Sequence, residues 1–458
     1  MSVRALLLTL ATATGCMSSP VRDDCQVRCG SGAACPDDYA CGDDDFCHPS
    51  AADSPRDCAA AGGDPDGGGV IPCGATAVEA STNHTCAVRT DGHLVCWGES
   101  CNGQLGGARP ADPDACDGLG TNVLAPIEVL DDGAPVEGVT DVRLGLMHTC
   151  ALAGDGALCW GDDRDGQLGR GTAGDPSADP TPVDSLGPLA RLATGWFHGC
   201  AIEPDEDAWC WGNNSNGQVG ADDWGGALDD RPLAEAVDGG DAFVAITAGA
   251  THSCGVTGDG GARCWGRNQA GQLGSSPEED PTSQPTPVAV LRETDEMPLD
   301  GVTAIGAGNN FSCAATADPD EVWCWGANLR HSLGDDSAPE ALDGDPAWLA
   351  RRAALDPDAP VAQVSVGAKT ACALTGDGDL FCWGANDEGQ IGTGSAEPWL
   401  PPTLVRSDVI DVGVGFGHIC AVIDGGAVEC WGANDAGQLG TGDTGSVDEP
   451  APVEELCP

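Results

Sequence analysis

The sequence predicts an all-β fold, a seven-bladed β-propeller preceded by a small disulfide-rich module. Three observations carry this prediction: a CWG tripeptide that occurs seven times, a cysteine upstream of each copy, and successive tryptophans 48 to 63 residues apart. A period this long, with short β-type segments between Gly and Asp turns, is typical of propeller blades and not of helical solenoids. The 68 Gly and 32 Pro among 458 residues also favour many turns over long helices.

The last repeat illustrates the strands expected in one blade. Its first strand is predicted at residues 409–414 and ends in a Gly turn near the ring axis. The second and third strands form a hairpin over residues 419–431, and the fourth strand is predicted at residues 452–456. The Asn of the CWGAN stretch, Asn434 here, is expected to bond its own turn backbone.

Two cysteines in each repeat are predicted to form a cross-strand disulfide. In the sixth repeat, a three-residue loop over residues 376–378 pairs Thr375 with Asp379. Counting outward, Cys372 then faces Cys382 in a non-hydrogen-bonded pair, whose Cα atoms are typically about 4.5 Å apart and within disulfide reach. The expected pairs are Cys86–Cys96, Cys150–Cys159, Cys200–Cys210, Cys254–Cys264, Cys313–Cys324, Cys372–Cys382 and Cys420–Cys430.

Five of these pairs are ten residues apart, and two are not. The spacings of nine in Cys150/Cys159 and eleven in Cys313/Cys324 predict altered turns with the bridges kept. The tryptophan after each second cysteine alternates to the opposite face of the strand, where it can fill the core between blades.

The cysteines outside the blade pairs are also expected to form disulfides. Residues 17–58 hold six cysteines and predict a small three-disulfide module whose connectivity the sequence leaves open. Residues 59–72, rich in Gly and Asp, are expected to be a linker to a propeller over residues 73–458. Cys101 and Cys116 fall in one long loop and are expected to staple it.

Cys73 and Cys457 are predicted to close the ring. Cys73 lies thirteen residues before Cys86, and Gly187 and Ser407, in the short connectors between blades, lie thirteen before the next blade's first cysteine. Cys457 follows the last predicted strand. Both cysteines therefore map onto the connector position at which the ring has no peptide link.

The N-terminus indicates export. Residues 5–13 are apolar, too short to span a bilayer, and precede Cys16. This stretch resembles a bacterial lipoprotein signal over residues 1–16, with Cys16 lipidated and Met17 favouring the outer membrane; ordinary secretion is the alternative. The 25 cysteines favour the same oxidising compartment, so the expected location is the bacterial cell envelope, with the membrane contacted only through the lipid.

A net charge of −54 with a single lysine, Lys369, argues against nucleic acid, since phosphate binding needs clustered cations. It favours a basic protein partner, while weak cation binding and solubility in salt are the alternatives.

The repeat resembles that of the regulator of chromosome condensation family. One copy opens at residues 145–150, GLMHTC, and ends at residues 166–169, GQLG; the resemblance covers about residues 75–456. The fifth copy departs most, because residues 310–311 are NF and residues 331–334 are HSLG.

The resemblance implies a propeller and offers three functional precedents. Guanine-nucleotide exchange on a nuclear GTPase is the first, and it does not fit an exported chain. Ultraviolet sensing is the second; it needs repeated GWRHT stretches, and residues 195–198 are a single partial match. A secreted bacterial relative that inhibits an enzyme with one propeller face fits best.

No catalytic site, metal site or cofactor is predicted. Five histidines stand two residues before a blade cysteine, one per blade, so a structural hydrogen bond is favoured over convergence on a metal: His84, His148, His198, His252 and His418. No CxxC, HExxH or phosphate-binding glycine loop occurs. The alternative, a lyase or hydrolase in the central funnel, would leave one blade odd on its axial loops, and the fifth offers only Asn309 and Asn310 there.

The predicted function is a monomeric binding or adhesion propeller that uses the variable loops after the GQLG turns. These loops hold Trp224 beside Asp222 and Asp223, Trp348, and Trp399 after Glu397. Aromatic residues in a polar surround are typical of interface hot spots. The structural alternative is that each tryptophan packs its own loop onto the propeller.

Overall fold

The chain divides into two compact units, Met1–Val70 and Ile71–Pro458. The computed structural model describes residues 39–41, 47–49, 73–107, 122–154, 156–221, 229–275, 282–317, 320–335, 343–357 and 359–457. In the first unit, β1 (Tyr39–Cys41) pairs antiparallel with β2 (Cys47–Pro49). Cys16, the predicted linker, and Cys25, Cys29, Cys35 and Cys58 of the predicted module lie outside these residues.

The second unit contains seven four-stranded antiparallel sheets, numbered here as blades 1 to 7 in chain order. The first strands are β3 (Ala75–Ala80), β9 (Val139–Leu144), β13 (Arg191–Thr194), β17 (Phe243–Ala248), β21 (Val302–Ala307), β25 (Val361–Val366) and β29 (Val409–Val414). The second strands are β4 (His84–Arg89), β10 (His148–Ala153), β14 (His198–Ile202), β18 (His252–Thr257), β22 (Phe311–Ala317), β26 (Thr370–Thr375) and β30 (His418–Ile423).

The two outer positions of each blade follow in the same order. The third strands are β5 (Leu94–Gly98), β11 (Gly156–Gly161), β15 (Ala208–Gly212), β19 (Ala262–Arg267), β23 (Asp320–Leu329), β27 (Leu380–Ala385) and β31 (Val428–Gly432). The fourth strands are β6 (Val123–Glu128), β12 (Ser177–Pro182), β16 (Arg231–Ala236), β20 (Ser283–Ala289), β24 (Asp343–Arg352), β28 (Trp399–Arg406) and β32 (Val447–Pro452). A short hairpin, β7 (Leu130–Asp131) and β8 (Ala134–Pro135), joins blades 1 and 2.

The first strands contact one another in a closed ring, in which β29 of blade 7 packs against β3 of blade 1. The predicted seven-bladed propeller is therefore confirmed. The first strand predicted for blade 7 coincides with β29, and the predicted hairpin matches β30 and β31 within one residue at each end.

The fourth strand of blade 7 was wrongly predicted. It runs over Val447–Pro452 and not over residues 452–456. The cause is proline: an outer edge strand can carry proline because one side of it has no partner to bond, so it lacks the apolar alternation of an inner strand. Val453 and Leu456, which suggested a strand, instead contact the core between blades 7 and 1.

Proline marks every outer edge. Each of the seven fourth strands contains at least one: Pro126, Pro180, Pro232, Pro285, Pro346, Pro401 and Pro450. An edge strand offers unpaired backbone groups to other chains, and proline removes a donor from that edge. The ring thus has seven outer edges, all of them poor templates for strand addition.

All seven blade disulfides form as predicted. The two cysteines stand opposite each other in register with Cα atoms 4.0–4.1 Å apart, including the pairs spaced by nine and eleven residues. In the sixth blade, the Thr375 N–H donates to the Asp379 carbonyl at 3.0 Å, as the expected three-residue loop requires.

The CWG tryptophans connect the blades. Each is fully buried and donates its indole Nε1–H to a backbone carbonyl in the GQLG turn of the preceding blade, at 2.8–3.0 Å. The last glycine of that turn lies against the same indole. At Gly392, with φ of +78°, an added Cβ would lie 2.5 Å from Nε1 of Trp431. The glycine and the tryptophan are therefore required together.

The asparagine of the repeat holds the turn itself. Asn434 Oδ1 accepts the backbone N–H of Leu439 at 3.0 Å, and Asn386 does the same for Ile391. The predicted role of this asparagine in the backbone of its own turn is confirmed.

A disulfide between Cys73 and Cys457 closes the ring, as predicted. Their Cα atoms are 5.8 Å apart, and they are separated by 384 residues in the chain. The bond stands where the fourth strand of blade 7 would otherwise run into the first strand of blade 1. Cys101 lies in the described part of its loop, whereas its expected partner Cys116 lies outside the described residues.

Replacing Cys73 and Cys457 together with alanine is expected to lower the free energy of unfolding by about 4–5 kcal/mol, because the bond closes a very long loop of the unfolded chain. Hydrogen exchange followed by mass spectrometry should show faster exchange first in blades 7 and 1. Cys372→Ala with Cys382→Ala is the matched control, and its faster exchange should stay within blade 6. Uniform loosening of all blades in the Cys73/Cys457 variant would contradict a local seam.

Candidate functional site

The propeller has two faces that differ in their loops. Because the four strands of a blade alternate in direction, the loops after first and third strands lie on one face, here called the loop face. The turns after second strands and the connectors between blades lie on the other, here called the connector face. The chain enters the propeller at the connector face, at the Cys73–Cys457 bond.

The loops nearest the axis form a ring on the loop face, and hydrogen bonds join several of them to the loop of the next blade. The Trp196 N–H donates to the Gly249 carbonyl of the next blade at 3.2 Å, and the Phe416 N–H donates to Ser81 at 3.0 Å. The glycines of this ring permit the contact. A Cβ on Gly308 would lie 2.0 Å from the Gly367 carbonyl oxygen. Side chains that follow these glycines are therefore held in fixed positions around the axis.

Several residues of this ring have apolar side chains. Leu146, Met147, Trp196 and Phe197 are half-buried neighbours on blades 2 and 3, and Phe416 on blade 7 is 44% exposed. Trp196 and Phe197 stack edge to face, with ring centroids 6.4 Å apart. The loop face thus presents aromatic side chains close to the axis. The sequence analysis noted Trp196 and Phe197 only as part of a partial sensor motif, and Leu146 and Met147 only as part of the repeat.

Two of the three tryptophans predicted as interface residues lie in the fourth, outer strands of their blades. Trp348 lies within β24 and Trp399 begins β28, so both are in strands and not in loops as predicted. Both are half-buried. Asp222, Asp223 and Trp224 lie outside the described residues.

Trp399 contacts a residue of blade 5 that differs from the repeat sequence. His331, with φ of +59°, replaces the first glycine of the GQLG turn, and its ring lies 3.9 Å from the Trp399 ring at 30°. A left-handed conformation costs a non-glycine residue free energy. The stack between the blades provides a packing partner for His331, so Trp399 has a structural contact beside any contact with a partner.

A central channel with a volume of about 310 Å³ runs along the axis and is lined by residues from all seven blades. The charged residues that line it are Glu79, Arg143 and Arg191, and the carboxylates of Asp141 and Asp411 lie close to the first two. Glu79 Oε2 lies 2.8 Å from Arg143 Nη1, Arg143 Nη2 lies 3.2 Å from Asp141 Oδ1, and Asp411 Oδ2 accepts the Val78 N–H at 2.8 Å. Blades 7, 1 and 2 therefore place three carboxylates and one guanidinium together.

Burial changes the acidity of these groups. Burial raises the pKa of Glu79 to about 7; the Arg143 guanidinium lowers it, while the Asp411 and Asp141 carboxylates raise it further. The pKa of Asp411 is also raised by burial, against hydrogen bonds that lower it. The pKa of Arg143 is raised, chiefly by Asp141.

Sequence reasoning missed this cluster because it expected an odd blade at the divergent fifth repeat. Asn309 does line the channel, but the titratable residues that line it are Glu79, Arg143 and Arg191, from blades 1, 2 and 3. The signal was present in an alignment of the first strands. At the position of Glu79 and Arg143, blades 3 to 7 carry only small uncharged residues: Ala193, Thr247, Gly306, Ser365 and Gly413.

The five blade histidines do not converge. All are fully buried. His84 Nε2 lies 3.1 Å from the Thr149 hydroxyl of the next blade, and that hydroxyl donates to the Gln104 carbonyl at 2.8 Å. The hydroxyl therefore accepts from a protonated Nε2. His418, His198 and His252 reach Thr85, Ser253 and Ser312 in the same way, at 2.8–2.9 Å.

The chain pairs these residues consistently across neighbouring blades. Where Phe311 replaces the histidine, the next blade has Ala371 in place of the hydroxyl; where Thr370 replaces it, the next blade has Ile419. His148 is the exception, because the next blade has Gly199. Neither ring nitrogen of His148 has a hydrogen-bond partner in the described residues. The predicted structural hydrogen bond thus forms for four of the five histidines.

Burial lowers the pKa of four of these imidazoles, including His252, to about 3, and that of His148 to about 4. Since a free histidine titrates near 6.5, the unfolded chain takes up protons between pH 6.5 and 3 while the folded chain does not. Stability that is full above pH 6.5 is therefore lost as the pH falls.

The variant His252→Phe with Ser312→Ala copies the Phe311/Ala371 pair and is expected to remove one such titration. Between pH 6.5 and 4.5, its free energy of unfolding should fall less steeply than that of the parent chain by about 1.4 kcal/mol per pH unit. Thermal unfolding at several pH values measures the difference. Ser312→Ala alone keeps the imidazole and should keep the full acid dependence; equal slopes in the parent and double variant would refute the assignment.

In the described ranges, no group of three or more His, Cys, Asp and Glu side chains could hold a metal ion. Within the same ranges, no helix has the length and apolarity needed to cross a bilayer.

The described strands form a closed seven-bladed propeller. Models of the regulator of chromosome condensation (RCC1) repeat match residues 75–104, 190–218, 243–272, 302–331 and 361–390, and a second model of the repeat matches 259–315 and 377–422. The chain belongs to the RCC1-like repeat family, as its repeat unit predicted.

The matched relatives differ in how much of their own length the match covers. The ultraviolet-B receptor UVR8 of Arabidopsis thaliana is 29% identical over 334 residues, which cover 72% of this chain and 69% of the receptor. The E3 ubiquitin-protein ligase HERC2 of Mus musculus is 28% identical over 69% of this chain, but the match spans only 7% of the ligase.

Among solved structures, Prp20p of Saccharomyces cerevisiae, studied for its binding to Gsp1p and histones, superposes with a TM-score of 0.66 at 20% identity. The superposition covers 82% of this chain and 86% of Prp20p. At this identity the likeness supports the fold.

Proposed function

We propose that this chain is a non-catalytic binding propeller that holds a protein partner on its loop face. The observation that carries the proposal is the concentration of aromatic residues there: Trp196, Phe197 and Phe416 near the axis, and Trp348 and Trp399 further out. Aromatic side chains in a polar surround supply most of the binding energy in typical interfaces. Binding to Gsp1p and histones by Prp20p is a precedent within the fold.

The net charge of −54 favours a basic partner. A strongly acidic surface steers a basic protein into contact and speeds association, and salt screens this effect. An enzyme inhibited by the loop face is one form that such a partner could take.

A second function, catalysis in the channel, is favoured by one observation. Glu79 has a pKa of about 7 beside Asp411, and a carboxyl group of this pKa can act as a general acid or base at neutral pH. A hydrolase or lyase activity that disappears in Glu79→Gln would favour this alternative.

The proposed location is an oxidising compartment outside the cytoplasm. Eight disulfides among the described residues of the propeller support it, because such bonds persist where thiols are not kept reduced. Attachment to the outer membrane through a lipid on Cys16 rests on the sequence of the signal alone. Labelled palmitate is expected in the parent chain and not in Cys16→Ser; equal labelling would remove the anchor from the proposal.

The single lysine of the chain allows a direct test of the face. Lys369 lies half-buried in the loop between β25 and β26, on the loop face. An amine cross-linker added to the native envelope should join the partner to the propeller through Lys369. In the control, Lys369→Arg with Arg406→Lys moves the lysine to the end of β28, at the connector face, and cross-linking should be lost. Cross-linking retained by the control would place the partner elsewhere.

Trp224→Ala, Trp348→Ala and Trp399→Ala separate binding from packing. Loss of partner capture at an unchanged melting temperature assigns a tryptophan to the interface, because truncating a hot-spot residue typically costs at least 2 kcal/mol of binding. A lowered melting temperature with intact capture assigns it to packing. We expect the second outcome to be strongest for Trp399, because its ring stacks on His331.

A further inference from the structure

We propose that the Cys73–Cys457 bond is a thiol–disulfide exchange site of the folded propeller. The ring closes first through contacts between blades 7 and 1, a small disulfide oxidant then installs the bond, and a dithiol removes it without unfolding the blades. The inference goes beyond the proposed binding function and does not depend on it.

The seam bond differs from the blade disulfides in its exposure to solvent. All cysteines of the seven blade disulfides are 0% exposed, whereas Cys73 is exposed and Cys457 is half-buried. Exchange begins when a thiolate attacks a disulfide sulfur, so its rate depends on access to that sulfur. Among the disulfides of the described propeller residues, the seam bond is therefore the one that a reagent can reach in the folded chain.

Contacts other than the disulfide hold blades 7 and 1 together. Trp97 of blade 1 donates its indole Nε1–H to the Gln438 carbonyl of blade 7 at 2.8 Å, which is the contact made at the other interfaces. Closer to the axis, the Phe416 N–H donates to the Ser81 carbonyl at 3.0 Å. These contacts do not pass through a cysteine, so the ring is expected to close whether or not the bond is present.

Each seam cysteine is also held in place by a neighbour in the chain. Ala75, two residues after Cys73, is buried and donates its N–H to the Gly426 carbonyl of blade 7 at 2.7 Å. Leu456, which directly precedes Cys457, is buried in the core between blades 7 and 1. Two thiols anchored in this way stay close together, at a high effective concentration.

The two kinds of bond therefore form at different stages of folding. Blade cysteines lie nine to eleven residues apart and can pair while their hairpin is still open to solvent, before neighbouring blades bury it. The seam cysteines are 384 residues apart, and the entropic cost of bringing two chain positions together rises with the length of the loop. Folding of the seven blades removes this cost for the seam pair, so its oxidation follows closure of the ring.

The exchange reaction needs one small disulfide as the oxidant. The thiolate of one seam cysteine attacks a sulfur of the oxidant, breaks its S–S bond and releases one thiolate, which leaves a mixed disulfide on the protein. The thiolate of the second seam cysteine attacks the protein sulfur of that mixed disulfide and releases the second thiolate. Two electrons pass from the seam cysteines to the oxidant, and the two thiol protons pass to solvent or to the released thiolates. A dithiol reverses both steps.

Charge at the seam selects among these reagents. Glu454 and Glu455 are exposed and precede Cys457 by three and two residues, and the chain has a net charge of −54. At low ionic strength this field attracts cations and repels anions. The site should therefore favour cationic disulfides and dithiols over anionic ones.

Reduction of the folded parent chain tests access to the bond. The chain is treated with dithiothreitol without denaturant, thiols are alkylated at intervals, and peptide mapping gives the alkylated fraction of each cysteine. We expect Cys73 and Cys457 to be alkylated about a hundredfold faster than Cys372 and Cys382, because a buried bond reacts only in molecules that open locally. Equal rates at the seam and in blade 6 would mean that exchange requires unfolding, and would overturn the inference.

Re-formation of the bond tests the order of events. After the reductant is removed, cystamine should restore Cys73–Cys457 as the only new disulfide among the described propeller cysteines. Hydrogen exchange of the reduced chain should show the sheets of blades 2 to 6 still protected. Loss of protection in every blade, or re-formation of mixed pairs, would contradict closure before oxidation.

Single variants give an independent measure of access. Cys457→Ser leaves one thiol at Cys73, which should react with cystamine in the folded chain. Cys382→Ser is the matched control, because the thiol that it leaves at Cys372 should react only after denaturation. An unreactive Cys73 in the folded Cys457→Ser variant would refute the exchange site.

The preference for cations is measured with three disulfides of similar size: cystamine, hydroxyethyl disulfide and the disulfide of mercaptoethanesulfonate. At low salt, re-formation should be fastest with cationic cystamine and slowest with the anionic disulfide, and high salt should reduce the difference. Glu454→Gln with Glu455→Gln should narrow it, whereas Asp448→Asn with Glu449→Gln, near the start of β32, should narrow it less. An order of rates that salt does not change would remove the electrostatic preference.

Discussion

Packing of the blades into a closed ring depends on the backbone carbonyl of the second residue in the GQLG turn. Gln104 illustrates it: its carbonyl oxygen accepts the indole of Trp160 at 2.9 Å and the hydroxyl of Thr149 at 2.8 Å, both from the next blade. A buried carbonyl must be paired, and here both donors come from a neighbour. Each blade therefore completes the hydrogen bonding of the blade before it, which couples local turn geometry to closure of the ring.

This coupling explains how much of the fold the sequence could predict. The cysteine spacing fixed the register of the inner hairpins, because Cys372 can face Cys382 only if the loop between them has three residues. The repeat of CWG and GQLG predicted seven blades, since indole and turn must meet in each. The prediction failed for the outer strand of blade 7, where neither a disulfide nor a repeated motif fixes the position of the strand. The outer strand Val447–Pro452 has one partner and two prolines, so no periodic pattern marks it.

The features that escaped prediction all depend on neighbours across blades. The rule that His252 needs Ser312, whereas Phe311 needs Ala371, relates residues 60 apart and becomes visible only once blades are placed side by side. The same holds for Glu79, Arg143 and Asp411, which a single strand presents as isolated surface charges. Trp399 was predicted in a loop because its stacking partner His331 belongs to another repeat. Internal repeats supply the comparison that separates such residues from those that every blade requires.

The seam between blades 7 and 1 differs from the other interfaces in how its two blades are joined. It has no peptide link, and the Cys73–Cys457 bond on the connector face replaces that link with a covalent one. Near the axis, Asp411 Oδ2 on blade 7 accepts the Val78 N–H of blade 1 at 2.8 Å, so a side-chain hydrogen bond also crosses this seam. The seam is therefore joined twice, by a covalent bond on the connector face and by a hydrogen bond between the first strands. Because the next blade along the chain is reached by a peptide link everywhere else, these two contacts supply at the seam what chain connectivity supplies at the other interfaces.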